Sequence, residues 1–340
     1  MFAVKMPQKD VIEVREVEIP RPGKGEVLIQ MKASALCRSD LHVLHRTELF
    51  EADEMEFTSG HEPCGVVAEL GENVESVKIG DRVAIFLAVG CGKCEHCQSG
   101  NVVLCKELGM LGRHMDGAHA DYVVVPEECC LPMPEGMDFV TGALATDVGG
   151  TLYTACKRLG VSGATTVAIF GVGPMGMGGV LMAKGFGATV IAVDNNAERL
   201  ALATRLGADY AVNFSEVNCP EEIMKITGGV GTDAAIVCSG ASKAINDALD
   251  TVRPYGAVGQ IGETSACTIN PSEQLMRKFV DYKGCWYFNR SDWKEISSFI
   301  VRKDIRLREI STRAFDISEA VEAFKLFDSG KTQKVLFVWD

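Results

Sequence analysis

The sequence predicts a two-domain α/β protein in which a β-rich domain accompanies a doubly wound parallel sheet. The chain has 340 residues, which is more than one hydrophobic core usually serves, so two domains are the first expectation. From about residue 148, apolar segments of strand length alternate with helical segments, as in a parallel sheet covered by helices. Residues 1–135 instead carry short Val- and Ile-rich segments between Gly and Pro turns, which favours a barrel-like β domain.

The individual elements follow from hydrophobic pattern and turn residues. In the β-rich part we predict strands over residues 26–32, 65–70 and 81–86. In the second part we predict strands over residues 165–170, 188–194, 210–214, 234–238 and 257–262. One helix is predicted to run to Phe186, and a second spans residues 196–206 and stops at Gly207, a typical C-terminal residue. The chain ends in a strand-like segment over residues 334–339.

Composition excludes several classes of function. The formal net charge of −12 repels polyanions and argues against a nucleic-acid partner. The uncharged stretch over residues 159–183 contains seven glycines and a proline, so it divides into strand, turn and helix and does not predict a membrane span. The first residues contain no apolar run long enough to predict a secretory signal. Thirteen cysteines therefore indicate a cytoplasmic protein whose clustered cysteines serve metal binding or catalysis.

A glycine-rich turn predicts a dinucleotide site. Gly171, Gly173 and Gly176 fit the pattern G-x-G-x-x-G after a buried-type strand and at the start of a helix, which is the context that gives this pattern meaning. The turn, with Pro174 in it, would place a pyrophosphate at the helix N-terminus. Asp194, which ends the next strand, would accept hydrogen bonds from the adenosine ribose and repel a 2′-phosphate, so NAD is favoured over NADP. The alternative is a strand–helix turn without a ligand.

A second motif is a loop of four cysteines with the spacing C-x2-C-x2-C-x7-C, formed by Cys91, Cys94, Cys97 and Cys105. Closely packed thiolates repel one another unless a cation gathers them, and four sulfurs form the closed shell of a structural Zn²⁺ site. An iron–sulfur cluster or an empty loop is the alternative. The remaining histidines of this region are expected to be surface or packing residues rather than ligands; they are His45, His96, His114 and His119.

Two further segments carry candidate metal ligands. They are residues 37–42 (CRSDLH) and residues 60–74 (GHEPCGVVAELGENV). Cys37 and His61 are candidate zinc ligands from separate turns, and a catalytic zinc needs about three protein ligands with one open position. The second segment matches the signature G-H-E-x2-G-x5-G-x2-V throughout. With the four-cysteine loop and the glycine turn in the same order, the whole chain resembles the zinc-containing medium-chain alcohol dehydrogenases.

The resemblance implies a GroES-like β-barrel catalytic domain over residues 1–147 and 285–340, and a Rossmann domain over residues 148–284. It implies that Cys37 and His61 bind the catalytic zinc. The third ligand is a cysteine in many relatives and a carboxylate in sorbitol-dehydrogenase-like ones, and Asp147 occupies that position here. A helix-start aspartate that caps its own helix is the alternative. Glu62 either binds the zinc when substrate is absent or lies just outside the ligand set.

Further roles carry over by position. Ser39 and His42 match a proton relay that passes through the cofactor ribose. The other matched residues are expected to contact NAD. They are Arg38 and Lys334 at the pyrophosphate, Thr151 and Met175 at the nicotinamide, and Arg199 near the adenosine ribose. A solvated charge or a packed hydroxyl is the alternative for each.

The predicted activity is hydride transfer between a secondary alcohol or polyol and NAD, giving the ketone, with two Zn²⁺ per chain. The alternatives are a primary-alcohol dehydrogenase or aldehyde reductase with the same machinery, and a non-catalytic NAD-binding relative. Residues 284–289 (GCWYFN) would line the substrate pocket or form an oligomer contact. The small-molecule substrate is the main partner, together with further copies of the chain in a homo-oligomer, a dimer or a tetramer.

Overall fold

The computed structural model describes residues 1–47 and 57–340, and the chain folds into two compact units. The first unit comprises Met1–Asp147, Phe288–Arg302 and Leu307–Asp340, and the second comprises Val148–Tyr287 and Lys303–Arg306. The chain therefore leaves the first unit, forms the second and returns. Within the described residues, no helix combines the length and the apolar character that crossing a membrane requires.

Strands follow one another in most of the first unit, whereas strands alternate with helices in the second unit. In chain order, the strands of the described residues are β1 Phe2–Lys5, β2 Glu13–Glu16, β3 Glu26–Ala35, β4 Glu62–Leu70, β5 Arg82–Ile85, β6 Ala88–Val89, β7 Gly109–Met110, β8 Tyr122–Pro126, β9 Cys130–Pro132, β10 Thr166–Phe170, β11 Thr189–Asp194, β12 Tyr210–Asn213, β13 Thr232–Val237, β14 Val252–Gln260, β15 Asp281–Gly284, β16 Ser311–Phe315 and β17 Lys334–Val338. The α-helices are α1 Arg38–Leu44, α2 Glu95–Gln98, α3 Phe139–Leu144, α4 Gly150–Arg158, α5 Pro174–Gly185, α6 Ala197–Arg205, α7 Cys219–Ile226, α8 Ser242–Thr251, α9 Trp293–Arg302 and α10 Ala320–Asp328.

The first unit is built on a seven-stranded sheet with the order β16-β17-β3-β4-β5-β9, and β8 also pairs with β3. Its ladders are antiparallel except for the parallel pair β16 and β17. Ala35 at the end of β3 pairs with Glu62, which opens β4, and with Leu336 of β17. This register brings the end of β3 and the starts of β4 and β17 to one place, where the candidate zinc ligands lie.

The second unit holds a six-stranded sheet with the order β12-β11-β10-β13-β14-β15, and every pair in it is parallel. The apolar segment of β10 is almost wholly buried, as the sequence predicts for a strand covered on both faces. The sheet order reverses beside β10, and such a switch point is where open parallel sheets bind ligands at the carboxyl ends of their strands. The predicted α/β class, with a β-rich part and a doubly wound part, is confirmed.

Candidate active site

Four candidate ligands from three segments of the chain meet in the first unit. One possible ligand atom from each of Cys37, His61, Glu62 and Asp147 lies within 4.8 Å of the others. Cys37 directly precedes α1, and His61 and Glu62 stand at the start of β4. Asp147 lies in a helical turn over Ala145–Gly149 that follows α3. A thiol, an imidazole and carboxylates form a donor set that fits Zn²⁺.

His61 is oriented by a buried carboxylate. Its Nδ1 lies 3.3 Å from Oδ1 of Asp40, a residue that is 3% exposed. Burial raises the pKa of Asp40, but His61 and His119 outweigh it and hold that pKa well below its usual range, so the carboxylate is ionised. Burial lowers the pKa of His61, but Asp40 and Cys37 outweigh that effect and raise the pKa well above its usual value. Because Asp40 faces Nδ1, Nε2 is the nitrogen that would bind a metal ion in place of its proton. This is the usual arrangement of a metal-binding histidine.

Glu62 and Lys334 form a buried ion pair at the edge of the cluster. Glu62 is 0% exposed and Lys334 is 1% exposed. The ammonium donates to Oε1 of Glu62 and, over 3.0 Å, to the carbonyl of Leu36. The other carboxylate oxygen, Oε2, is buried and has no hydrogen-bond partner among the described residues. Burial raises the pKa of Glu62 well above its usual value, and Lys334 only partly offsets this effect. A buried, unpartnered carboxyl oxygen beside a thiol and an imidazole suits a nearby cation. The sequence placed Lys334 at the cofactor pyrophosphate and did not anticipate this contact.

Charge in the cluster favours metal binding by Cys37. Burial raises the pKa of its thiol, but the Lys334 ammonium and His61 outweigh that effect, so the pKa is lowered overall. Its Sγ lies 3.5 Å from Oδ2 of Asp147. Asp147 is not the N-cap of a neighbouring helix, because Asp138 caps α3 and Gly149 precedes α4. The N-caps of the two flanking helices are thus other residues, and the role of Asp147 as a ligand stays a prediction.

The expected relay residues lie on α1, next to the cluster. Ser39 Oγ lies 3.2 Å from His61 Nε2, so its hydroxyl is at the ligand side of the imidazole. His42, one turn further, places Nδ1 3.1 Å from Oγ1 of Thr47. Arg38 is the first residue of α1 and its side chain is exposed. The helix thus carries a cation, a hydroxyl and an imidazole within its first five residues.

The four cysteines of the loop converge as their spacing predicts. Sulfurs from Cys91, Cys94, Cys97 and Cys105 lie within 4.8 Å of one another. Backbone N–H groups of Lys93 and Cys94 donate to Cys91 and lower its pKa to about 7. Burial and the neighbouring thiols raise the pKa of Cys97 to about 12. Without a cation, protons on some of the four sulfurs are therefore shared with the others by hydrogen bonds. A cation would displace these protons, and a shell of four sulfurs fits a structural Zn²⁺.

Replacing Cys105 by serine is expected to lower the zinc content from two ions per chain to one. Zinc bound by folded ligands contributes directly to folding free energy, and a loss of about 2 kcal/mol would lower the melting temperature by roughly 4–8 °C. Metal analysis and thermal unfolding measure both effects. Cys267→Ser is the matched control, because Cys267 belongs to neither ligand cluster. Two zinc ions retained in Cys105→Ser would contradict the assignment.

The glycine turn of the second unit is shaped for a close approach by a ligand. Gly171 has a φ of +85°, which disfavours other residues. A Cβ at Gly176 would lie 2.0 Å from the Gly171 carbonyl oxygen, so the helix α5 packs on the turn only with glycine there. Asp194 accepts hydrogen bonds from Val172 N–H at 2.9 Å and from Asn195 N–H at 2.8 Å. It therefore ties the end of β11 to the turn.

The other expected cofactor residues occupy the same unit. Thr151 is buried in α4. Gly173 precedes α5, Pro174 and Met175 open that helix, and Arg199 is half-buried in α6. The helix N-terminus of α5 provides the positive dipole end on which a pyrophosphate would bind.

The aromatic segment near residue 286 separates into different environments. Trp286 is 51% exposed, whereas Phe288 is 2% exposed. Phe288 packs edge-on against Phe86 with ring centroids 5.4 Å apart, and also lies near Trp293. The expectation that this segment lines a substrate pocket is wrong for Phe288, which is a core residue of the first unit.

Sequence reasoning missed one residue of the site, Asp40, and one contact, the buried contact of Lys334 with Glu62. Asp40 could have been recognised, because it stands three residues after Cys37 and its Oδ2 accepts the Cys37 N–H over 2.8 Å, a local helix-start pattern. The contact between Lys334 and Glu62 has no local signal, because 272 positions separate the two residues.

Comparison with known proteins agrees with this geometry. Residues 23–135 match the alcohol dehydrogenase GroES-like domain, and residues 174–302 match the zinc-binding dehydrogenase family. A sorbitol dehydrogenase of Halalkalibacterium halodurans is 32% identical over 95% of this chain and 94% of its own. An L-threonine 3-dehydrogenase of Pyrococcus horikoshii is 33% identical over 96% and 94%. The crystal structure of an alcohol dehydrogenase from Thermus sp. ATN1 superimposes with a TM-score of 0.92, at 25% identity and 99% coverage of both chains.

A fold of this kind with two zinc-type ligand clusters defines a metal-dependent dehydrogenase, and the chain belongs to the zinc-containing alcohol dehydrogenases of the medium-chain dehydrogenase/reductase superfamily. It is an NAD-dependent zinc enzyme that acts on the CH–OH group of small molecules. Its cofactors are NAD and zinc, for which the cysteine loop and the cluster at Cys37 supply two separate ligand sets.

Proposed function

We propose that the protein oxidises a secondary alcohol or polyol to the ketone with NAD⁺, and reduces the ketone in reverse. The observation that carries the proposal is the convergence of Cys37, His61, Glu62 and Asp147, in which a carboxylate stands where other alcohol dehydrogenases use a third thiolate. Sorbitol and threonine, the substrates in the names of two relatives, both carry secondary hydroxyls. Their similarity to this chain supports the same substrate class.

In the proposed mechanism Cys37, His61 and Asp147 hold the catalytic zinc, and Glu62 is a fourth ligand in the absence of substrate. Zinc supplies a Lewis acid that lowers the pKa of the substrate hydroxyl, and NAD⁺ supplies the hydride acceptor. The Asp40 carboxylate fixes the imidazole of His61, and the Lys334 ammonium balances the negative charge of the ligand set. These buried contacts pre-organise the cluster before the substrate arrives.

Removal of the hydroxyl proton is assigned to α1. Ser39 lies beside the ligand nitrogen of His61. Its oxygen would accept the proton of the substrate hydroxyl while its own hydroxyl proton passes through the cofactor ribose to His42. His42 lies one turn further along the helix, and an imidazole exchanges protons with water near neutral pH. The order of these two side chains along α1 supports an outward relay from the cluster.

Asp194 is proposed to select NAD over NADP. In Asp194→Ser, loss of hydrogen bonds to a charged acceptor, worth about 1.5–3 kcal/mol, is expected to lower kcat/KM with NAD⁺ by roughly 10- to 100-fold. Activity with NADP⁺ is expected to rise, because the charge that repels a 2′-phosphate is gone. Initial rates with both cofactors measure this. Asp209→Ser is the control, since Asp209 binds Lys184 and Val190 N–H; an unchanged preference for NAD⁺ in Asp194→Ser would contradict the assignment.

The substrate class is tested by product analysis. Zinc-loaded protein and NAD⁺ are incubated with polyols, secondary alcohols, primary alcohols and amino alcohols, and the carbonyl products are identified by mass spectrometry. Ketones formed with the highest kcat/KM support the proposal. Aldehydes formed preferentially favour the primary-alcohol alternative. Failure to reduce NAD⁺ with every compound, in protein that holds both zinc ions, favours the non-catalytic alternative.

We also infer that the enzyme is a homo-oligomer in the cytoplasm. The strand β15 forms one edge of the six-stranded sheet, and three large apolar residues near that edge are strongly exposed; they are Tyr255 at 74%, Met276 at 68% and Phe279 at 65%. Exposed apolar side chains beside an open sheet edge favour pairing with another copy. All thirteen cysteines, each within the described residues, are free thiols, which suits a reducing compartment.

A further inference from the structure

A buried imidazole outside the ligand cluster faces the carboxylate that orients His61. His119 lies just before β8 and is 0% exposed. Its Nδ1 is 2.8 Å from Oγ of Ser34 on β3. Its Nε2 is 3.7 Å from Oδ2 of Asp40, which is longer than a hydrogen bond, and it has no hydrogen-bond partner among the described residues. The sequence had suggested a packing residue, whereas the ring connects two polar groups.

Neighbouring aromatic rings and backbone restrict the position of the His119 ring. It stands edge-on to Phe337 and Phe324, with centroids 5.0 and 6.0 Å away. A Cβ on Gly60 would lie only 2.5 Å from its Nδ1, so the residue before His61 must be glycine for the ring to fit. The backbone N–H of His119 also donates to the Ser59 carbonyl over 2.8 Å. The imidazole therefore packs directly against the turn that carries His61.

The surroundings determine where the proton of His119 lies. Nε2 points towards Oδ2 of Asp40, an oxygen that already accepts the Cys37 N–H. A lone pair on Nε2 would face this accepting oxygen and be repelled. The proton therefore resides on Nε2, and Nδ1 accepts the hydroxyl proton of Ser34. In this arrangement Asp40 Oδ2 faces two donors, Cys37 N–H and His119 Nε2–H, and Oδ1 remains for His61.

We propose that His119 is a positioning residue of the catalytic zinc site, which holds Asp40 and through it His61. The chain Ser34–His119–Asp40–His61 begins on β3 and ends at a proposed metal ligand, so the inference rests on the proposed ligand set. Removal of the Nε2 donor leaves Asp40 less restrained and makes His61 a weaker ligand. Outer groups of this kind typically change metal affinity by about 10- to 100-fold.

Three substitutions separate hydrogen bonding from packing. His119→Phe fills the same space without a donor. His119→Gln places an amide N–H near the position of Nε2, and His119→Asn places its amide near Nδ1 instead. The measurement is the rate at which a chelator removes the catalytic zinc from the whole protein, with the zinc of the four-cysteine loop as an internal reference. We expect roughly tenfold or faster release in the Phe and Asn variants, and a rate close to wild type in the Gln variant.

Two results would overturn the inference: wild-type zinc release from His119→Phe, or equal acceleration in all three variants, which would make His119 a packing residue only. Melting temperatures and an intact four-cysteine zinc identify variants that fold. His61→Ala separates this inference from the proposed function. If His61→Ala loses one zinc while His119→Phe retains both at the wild-type rate, only the role of His119 is wrong. If His61→Ala keeps two zinc ions, the ligand set itself is wrong and the inference fails with it.

Discussion

Asp147→Ala is expected to hold one zinc ion per chain and to lose alcohol oxidation. We expect kcat/KM to fall by at least ~100-fold, because ~100-fold is already the upper end of the effect of mutating residues that only support the ligands. Asp147 lies 3.5 Å from the Cys37 sulfur and supplies an oxygen to the cluster. Without it two strong ligands and Glu62 remain, and Glu62 is already engaged by Lys334. Steady-state NADH formation and metal analysis on the same samples measure the two effects. Full activity in Asp147→Ala would contradict the ligand assignment.

Two further variants serve as comparisons for Asp147→Ala. Asp138→Ala removes another carboxylate of the same segment, the N-cap of α3, and is expected to keep both zinc ions with a modest loss of stability. Asp147→Cys restores a third thiolate, so zinc is expected to be retained and to leave more slowly under chelator than in wild type. Equal release rates for wild type and Asp147→Cys would show that the carboxylate does not make the metal more labile.

Lys334→Met is expected to lower the free energy of unfolding by about 3–5 kcal/mol, the usual effect of breaking a buried ion pair. The ammonium is 1% exposed and Glu62 is 0% exposed, so the remaining carboxylate cannot be solvated. Denaturant unfolding of protein freed of catalytic zinc measures the effect, because a bound cation would compensate for the lost charge. The control Lys225→Met breaks an ion pair with Glu222 in which the ammonium is 77% exposed, and it is expected to cost at most about 1 kcal/mol.

The double variant Lys334→Met/Glu62→Leu tests the reason for that loss. Removal of both charges replaces the pair with apolar groups, which is often near neutral for stability. The double variant is therefore expected to be more stable than Lys334→Met alone. A double variant as unstable as the single one would show that packing of the Lys334 side chain, rather than its charge, stabilises this region.

Local signals made the fold class and the convergence of the candidate ligand residues predictable. The apolar segment of β10, the glycine turn and the helix α5 lie within twenty residues of one another, so the strand–turn–helix unit is readable from adjacent positions. The four-cysteine loop spans fifteen residues, and its spacing alone predicts convergence. Strand positions were accurate where the hydrophobic pattern was strong, whereas the short edge strand β15 and the strand β16 have weak patterns and were not predicted.

Pairing between strands that are distant in sequence explains why the contacts of Lys334 and His119 were not predicted. Lys334 reaches Glu62 because β17 pairs with β3 and β3 with β4, with Ala35 as the shared partner of Leu336 and Glu62. No short segment of the sequence includes all three strands, so their register cannot be predicted from a local pattern. His119 is a similar case, since its contacts with Ser34 and Asp40 come from elements about eighty residues away. A histidine read alone is most simply a packing residue, and only the sheet shows its polar neighbours.

The most direct test of the central claim is a zinc titration of activity. Protein is depleted with chelator until only the four-cysteine zinc remains, then zinc is returned stepwise while NAD⁺ reduction with the best secondary alcohol or polyol is followed. We predict no turnover at one zinc per chain and a linear recovery that is complete at two. Turnover that persists at one zinc per chain, with the four-cysteine site filled, would contradict the claim that the cluster of Cys37, His61 and Asp147 binds the catalytic metal.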